Sequence, residues 1–208
     1  DYWLGKAMEL VIDASDDSSR VMKIFAKTLS DLAEGEMLQR QKAPKGDTDE
    51  DDYLRIIYNK TASLFEAACV SAAISAGASE DMIKSAKDYA VALGLAFQIK
   101  DDILDYAGTD AVGKPLGADI LEQKITMPLL GAFANAGSQK EVHVRTLVAD
   151  IVSHPENRDE IVTFVKENGG LEYAVSRLNS YVEAAVRALD MFPESEAKNS
   201  LIELAHFT

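Results

Sequence analysis

Apolar residues recur at helical spacing almost from one end of the chain to the other. Tyr2 to about Ala14 sets Leu4, Met8, Val11 and Ile12 on one side. About Ser18 to Gln41 does the same with Val21, Ile24, Phe25, Leu29, Leu32 and Met37. Such a three-or-four-residue repeat builds an apolar stripe only on a helix. No stretch alternates apolar and polar residues for more than a few positions, and there is no internal repeat. Composition points the same way. Alanine supplies 29 of 208 residues, while Gly (12) and Pro (5) are scarce, which favours helices over turns and strands. A sandwich, a barrel, a collagen-like chain and a disordered chain are excluded. The expected fold is all-α, one domain over 1–208, long enough to bury a core without disulfides or a structural metal.

Breaks in the periodicity place the joints. Lys42 to Asp52 is polar, holds Pro44 and Gly46, and reads as a loop. Thr48 is the expected N-cap of a helix that continues to about Ile74, with Asp49, Glu50 and Asp51 in its first turn. Ser79, Glu80 and Asp81 open a long helix ending near Gly108, and Gly113 to Gly117 forms a second loop. Helices are expected over about Met127 to Asn135, Gln139 to Ser153, Glu156 to Asn168, Leu171 to Met191 and Pro193 to His206. Ser138 with Glu141 reads as a capping box, and Pro193 as a first-turn proline. The alanine-rich run Ala67 to Ala78 suits close helix packing. The apolar pattern is already running at Tyr2 and still running at Leu201, Leu204 and Ala205, so the chain is expected to be a piece of a longer protein.

The net charge is −14, from 21 basic and 35 acidic residues. Such a surface repels a polyanion, so nucleic-acid binding is not expected; a cation suits its carboxylates. Cys69 has no second cysteine to pair with and is expected to be a small buried hydrophobe. Neither a signal pattern nor a membrane-length apolar run stands in these residues, and a cytoplasmic setting is expected.

The stretch Phe97 to Asp105 carries the chemistry. On a helix Gly94, Gln98, Asp101 and Asp105 form one stripe, with Asp102 about 100° round from Asp101. Carboxylates in the last two turns oppose the helix dipole, and Asp101 and Asp105 repel each other; each effect costs a few tenths to about 1 kcal/mol. A divalent cation would reverse both penalties. Oxygen-only ligands suit magnesium, which completes its shell with water and phosphate. Lys60 and Thr61 in the preceding helix, with Gln98, Lys114 and Lys124, supply charge and donors for a diphosphate. Glu203 and His206 have the spacing of a di-iron ligand pair, but that architecture needs two such pairs.

These blocks, in this order, resemble the trans-type polyprenyl diphosphate synthases. The matching pieces are Lys60-Thr61-Ala62-Ser63-Leu64-Phe65, Gly94 with Phe97-Gln98 and Asp101-Asp102-Ile103-Leu104-Asp105, and Gly113-Lys114-Pro115-Leu116-Gly117-Ala118-Asp119 followed by Lys124-Ile125-Thr126-Met127-Pro128. Glu36 and Gln39 look like the family's cavity-facing helix, and Asp1-Tyr2 like the start of a central one. The resemblance implies an isoprenoid-synthase helical bundle around a central cavity, of which this chain would be the C-terminal two-thirds. It implies magnesium-assisted condensation of an allylic diphosphate with isopentenyl diphosphate by a cytoplasmic homodimer. Asp101, Asp102 and Asp105 would hold the metal. Lys60, Thr61, Gln98, Lys114 and Lys124 would contact the allylic diphosphate as the catalytic set. Phe97 would lie near isopentenyl diphosphate, and Gln39 would face substrate.

The family's first aspartate-rich motif has no counterpart in these 208 residues. A non-catalytic partner subunit and a class I terpene cyclase are the alternatives; the Lys-Thr and Gly-Lys blocks favour a chain elongator. The 208 residues alone are expected to be inactive or nearly so, and incorporation of isopentenyl diphosphate by the purified chain would contradict this.

Overall fold

The periodic segments form helices, with no strand among the described residues 2–14, 18–107 and 117–208 of the computed structural model. Helices α1 (Tyr2–Ala14), α2 (Ser18–Lys42), α3 (Glu50–Ile57) and α4 (Ser63–Ser75) come first. A π turn, Tyr58–Ala62, joins α3 to α4. Helix α5 (Glu80–Ala107) has 28 residues, so it is about 42 Å long. Then follow α6 (Ala118–Leu121), α7 (Met127–Asn135), α8 (Ser138–Ala149), α9 (Arg158–Glu167), α10 (Gly170–Ala188) and α11 (Glu196–Phe207).

The middle of α5 is apolar or small nearly all round: Tyr89, Ala90, Ala92, Leu93, Gly94, Leu95 and Ala96 are all buried. A helix of that kind must be covered on several sides, and α4, α7, α10 and the π turn cover it. Farther along α5, Ile99, Ile103 and Tyr106 enter the main core. There they meet Tyr53 and Ile57 of α3, Met127 and Leu129 of α7, Val148 of α8, Ile161 and Val165 of α9 and Leu178 of α10. Each such aliphatic side chain contributes roughly 1.5–3 kcal/mol on burial. A second cluster joins Tyr89 and Leu93 to Ala185, Leu189 and Ala205.

Two glycines decide how tightly the π turn is held. A Cβ on Gly94 would stand 2.6 Å from the Ala62 Cα and 2.8 Å from its Cβ. A Cβ on Gly35 would stand 2.7 Å from the Lys60 Cγ and 2.8 Å from the Asn59 Cβ. The turn is thus pressed between α2 and α5 at distances only glycine allows.

Several local expectations are corrected. The segment from Thr48 to Ile74 is not one α-helix; the π turn interrupts it. Asp49, not Thr48, is the N-cap of α3. Its side chain accepts the Asp52 N–H at 2.8 Å, and Asp52 returns the bond to the Asp49 N–H. Thr48 is instead buried in the loop, where Arg145 donates to the carbonyls of Gly46 and Thr48, both at 2.9 Å. Ser138 lies inside α8 behind the cap residue Gly137 and makes no capping bond, because Glu141 is engaged by Arg145 at 2.9 Å. Pro193 precedes its helix; Ser195 caps α11 by accepting the Lys198 N–H. Cys69 is only half-buried, and Ala68, Ala72 and Ala76 of the alanine-rich run face outward. The loop Gly113 to Gly117 lies outside the described residues up to Leu116.

Gly94→Ala should lower the urea midpoint by the equivalent of about 1–3 kcal/mol, because backbone must move to admit the methyl. Gly5→Ala, where nothing lies within 4 Å, is the control, and should gain up to about 1 kcal/mol. Equal midpoints for Gly94→Ala and the parent chain would contradict the clamp.

Candidate active site

A cavity of about 230 Å³ opens where α2, the π turn, α5 and the segment after α6 meet. Its wall includes Gln39 from α2, Tyr53, Ile56 and Ile57 from α3, Lys60 and Thr61 from the π turn and Gln98 and Asp102 from α5. Asp119, Gln123, Lys124 and Thr126 close the far side. π turns widen the helix by one residue and re-aim side chains. Here the turn delivers Lys60 and Thr61, consecutive residues, to one wall.

A chain of hydrogen bonds runs behind that wall. The Tyr53 hydroxyl donates to one oxygen of Asp102 at 2.5 Å, and the Gln98 Nε2 donates to the other at 3.0 Å. The Thr61 hydroxyl donates to the Gln98 Oε1 at 2.9 Å. Tyr53 and Asp102 are 3% and 2% exposed. Burial pushes the Asp102 carboxyl up to about 7 against the two bonds it accepts; the nearby Asp119 and Asp101 charges add to the rise. Burial and the Asp102 charge hold the Tyr53 phenol well above its ordinary value.

The three aspartates predicted to converge on a metal have separate surroundings. Asp102 turns inward to Tyr53 and Gln98. Asp105 accepts the backbone N–H groups of Ala118 at 3.0 Å and Asp119 at 3.2 Å, and its own carbonyl accepts the Gly117 N–H at 2.9 Å. Burial and Asp119 raise its carboxyl, while those N–H groups oppose the rise. Asp101 is exposed and meets no described partner. Among the described residues, no three His, Cys, Asp or Glu side chains gather at a point that could hold a metal ion. The three aspartates thus stand in three different settings, with Asp101 exposed, Asp105 half-buried and Asp102 buried. The 100° step between Asp101 and Asp102 sends one outward and the other into the core, and Asp105 is taken up by the returning backbone. The bonds to Asp102 and Asp105 oppose the effect of burial on their charge without cancelling it.

The basic groups are held by carboxylates. The Lys60 ammonium lies 2.8 Å from Glu36 and donates to the Gln39 Oε1. Glu36 also takes Arg40 at 2.8 Å, and the bonds from Lys60 and Arg40 hold its carboxyl down to about 2. Lys124 lies 2.8 Å from Asp119 and 2.7 Å from Glu122. Burial alone would lower its pKa, but the two carboxylates outweigh that and raise it. Gln123, just before it, has φ 59° and ties its side chain to the Ala149 carbonyl at 2.6 Å. A non-glycine residue in the left-handed region costs roughly 1–2 kcal/mol; here it turns Lys124 toward the cavity.

Of the residues predicted from sequence, Gln39, Lys60, Thr61, Gln98, Asp102 and Lys124 share the cavity wall. Phe97 does not; it is 49% exposed, and its ring leans on Phe65 at 5.8 Å. One position before Gln98 on α5, it is rotated out of the wall. Lys114 lies outside the described residues. Sequence reasoning gave no role to Tyr53, Asp119, Gln123 or Thr126.

An all-helical bundle about a polar-walled cavity, with lysines and an aspartate-rich helix end, defines the isoprenyl-synthase class of fold. A polyprenyl synthase from Roseobacter denitrificans superimposes with a TM-score of 0.87 at 30% identity, over 98% of this chain and 66% of that one. A polyprenyl synthase from Caulobacter crescentus, complexed with calcium and isoprenyl diphosphate, gives 0.87 at 33%, over 98% and 62%. The family model for polyprenyl synthetase matches residues 1–167. The octaprenyl diphosphate synthase of Haemophilus influenzae is 39% identical over 209 residues, 100% of this chain and 63% of that protein. The chain belongs to the polyprenyl synthetase family, and it spans somewhat under two thirds of the length of such curated relatives.

Because Glu36 has a folded-state pKa below its ordinary value, its contribution is present above pH 4.5 and is lost as pH falls toward 2. The stability difference between the parent chain and Glu36→Gln should shrink over that window in denaturant titrations. A difference independent of pH would contradict the clamp on Lys60 and Arg40.

Proposed function

We propose that the protein this chain belongs to is a magnesium-dependent trans-prenyltransferase. It joins an allylic diphosphate to isopentenyl diphosphate and releases diphosphate and a longer trans-polyprenyl diphosphate. The observation that carries this reading is the meeting of Lys60, Thr61, Gln98 and Lys124 on one cavity wall beside the aspartate-rich end of α5. Family membership supports it. A cytoplasmic homodimer belongs to the same reading; the exposed apolar Leu64, Phe97 and Leu104 support a covered surface there. No described helix is long and apolar enough to cross a membrane.

The donor chemistry fits magnesium in part. Asp101 presents open carboxylate oxygens, the hard ligands that ion takes, and magnesium commonly uses only one or two carboxylates with water and phosphate oxygens. Asp101 would hold it, with Asp102 and Asp105 fixing the helix end from behind. When bound, the ion would neutralise charge building up on the departing diphosphate.

The chain's own groups supply the rest. Lys60 and Lys124 bind the allylic diphosphate and stabilise it as the carbon–oxygen bond breaks. To do so, Lys60 exchanges its contacts to Glu36 and Gln39 for phosphate oxygens. Thr61 and Gln98 present oxygen lone pairs near the allylic carbons. Ile56 and Ile57 help to keep water from the cation. The double bond of isopentenyl diphosphate then forms the new carbon–carbon bond, and a proton is lost. No nucleophilic side chain is required.

The test is incorporation of labelled isopentenyl diphosphate by the complete gene product, given magnesium and an allylic diphosphate. Longer prenyl diphosphates are expected; none would contradict the reading. Asp101→Ala should cut turnover by roughly 100-fold or more. It should leave the fold intact or slightly more stable, since it removes a charge that opposes the helix dipole. Unchanged turnover would refute the metal role.

A further inference from the structure

The Tyr53 hydroxyl bonds Asp102, and both residues belong to the cavity wall. We propose that Tyr53 is a positioning residue that fixes the orientation of the Gln98 amide through Asp102.

The direction of each bond in the chain follows from what the groups can donate. When Asp102 is ionised it only accepts, and both the Tyr53 O–H and the Gln98 N–H point at it. With its nitrogen committed to Asp102 at 3.0 Å, Gln98 turns its carbonyl oxygen to Thr61. Thr61 then spends its only proton on Gln98, and its lone pairs are left for the cavity. A flipped amide would set the Gln98 oxygen against the Asp102 oxygen and force Thr61 to accept from nitrogen. The wall facing the substrate would then change from acceptor to donor.

Asp102 cannot hold this arrangement alone. It stands at 2% exposure, and among the described residues no basic side chain pairs with it and Gln98 is its one other side-chain donor. A buried carboxylate that loses one of two donors tends to rotate toward another. That rotation would release the Gln98 amide. Tyr53 is well placed to prevent it. Its ring is buried in the main core beside Ile57 and Ile99. Its helix starts at the Asp49–Asp52 capping box, and Lys42 holds Asp52 at 2.6 Å. The hydroxyl is therefore delivered by a helix whose first turn is capped and ion-paired, one segment before the π turn that carries Thr61.

The inference rests on the prenyltransfer reading for its kinetic consequence but not for its structural one. The test is Tyr53→Phe in the complete gene product, which keeps the ring and removes the hydroxyl. A crystal structure of the variant should show the Gln98 amide displaced from Asp102 and Thr61. Turnover should fall by about 10-fold or more with the KM for both diphosphates changed by less than about twofold. In a Gln98→Ala background the same substitution should cause no further loss. An undisturbed Gln98 in the variant crystal, or equal and independent losses in the two backgrounds, would overturn the proposal. A parent protein with no prenyltransfer at all would instead sink the functional reading, and the variant crystal would still decide the role of Tyr53.

Discussion

The π turn at Tyr58–Ala62 and the two glycines that grip it set the geometry on which the rest of the cavity depends. That turn carries Lys60 and Thr61, and both line the cavity. A π turn is normally a weak spot in a helix. This one is fixed because Gly35 and Gly94 let α2 and α5 close to distances that any side chain would forbid. Packing thus stabilises a local conformation that propensity disfavours, and the functional pair sits where that happens.

Electrostatics at the end of α5 follow from the same closeness. Three aspartates near a helix C-terminus should repel one another and the dipole. Each is relieved differently: Asp102 by the donors Tyr53 and Gln98, Asp105 by two backbone N–H groups, Asp101 by solvent. The Asp105 bonds also tie the start of α6 to α5, which carries Asp119 and Lys124 back to the cavity. The acidic segment ties α6 to α5 as well as being a metal candidate, and Asp101 is the most exposed of its three carboxylates.

Much of the architecture was legible because it rests on period and punctuation. The spans of α1, α2, α5 and α7 follow from apolar spacing and from glycine and serine at their ends. The cavity lysines and Gln98 were legible from residue type and order. What escaped has physical causes. A π turn leaves no mark in periodicity, since one added residue shifts the stripe no more than ordinary irregularity does. The Asp49 cap was masked by a threonine one position earlier. Tyr53 was missed because its partner lies 49 positions away, and long-range bonds have no local signature. The burial of Asp102 is not legible either, because spacing gives a helix face but not which side of that face is buried.

The central claim is that the wall formed by the π turn, α5 and the Asp119–Thr126 segment receives a diphosphate. Hydrogen exchange on the complete gene product, with magnesium and an unreactive allylic diphosphate analogue, tests it most directly. Protection is expected around Lys60 and Thr61, around Gln98 and around Lys124. Protection confined to residues outside that wall, or none anywhere, would contradict it.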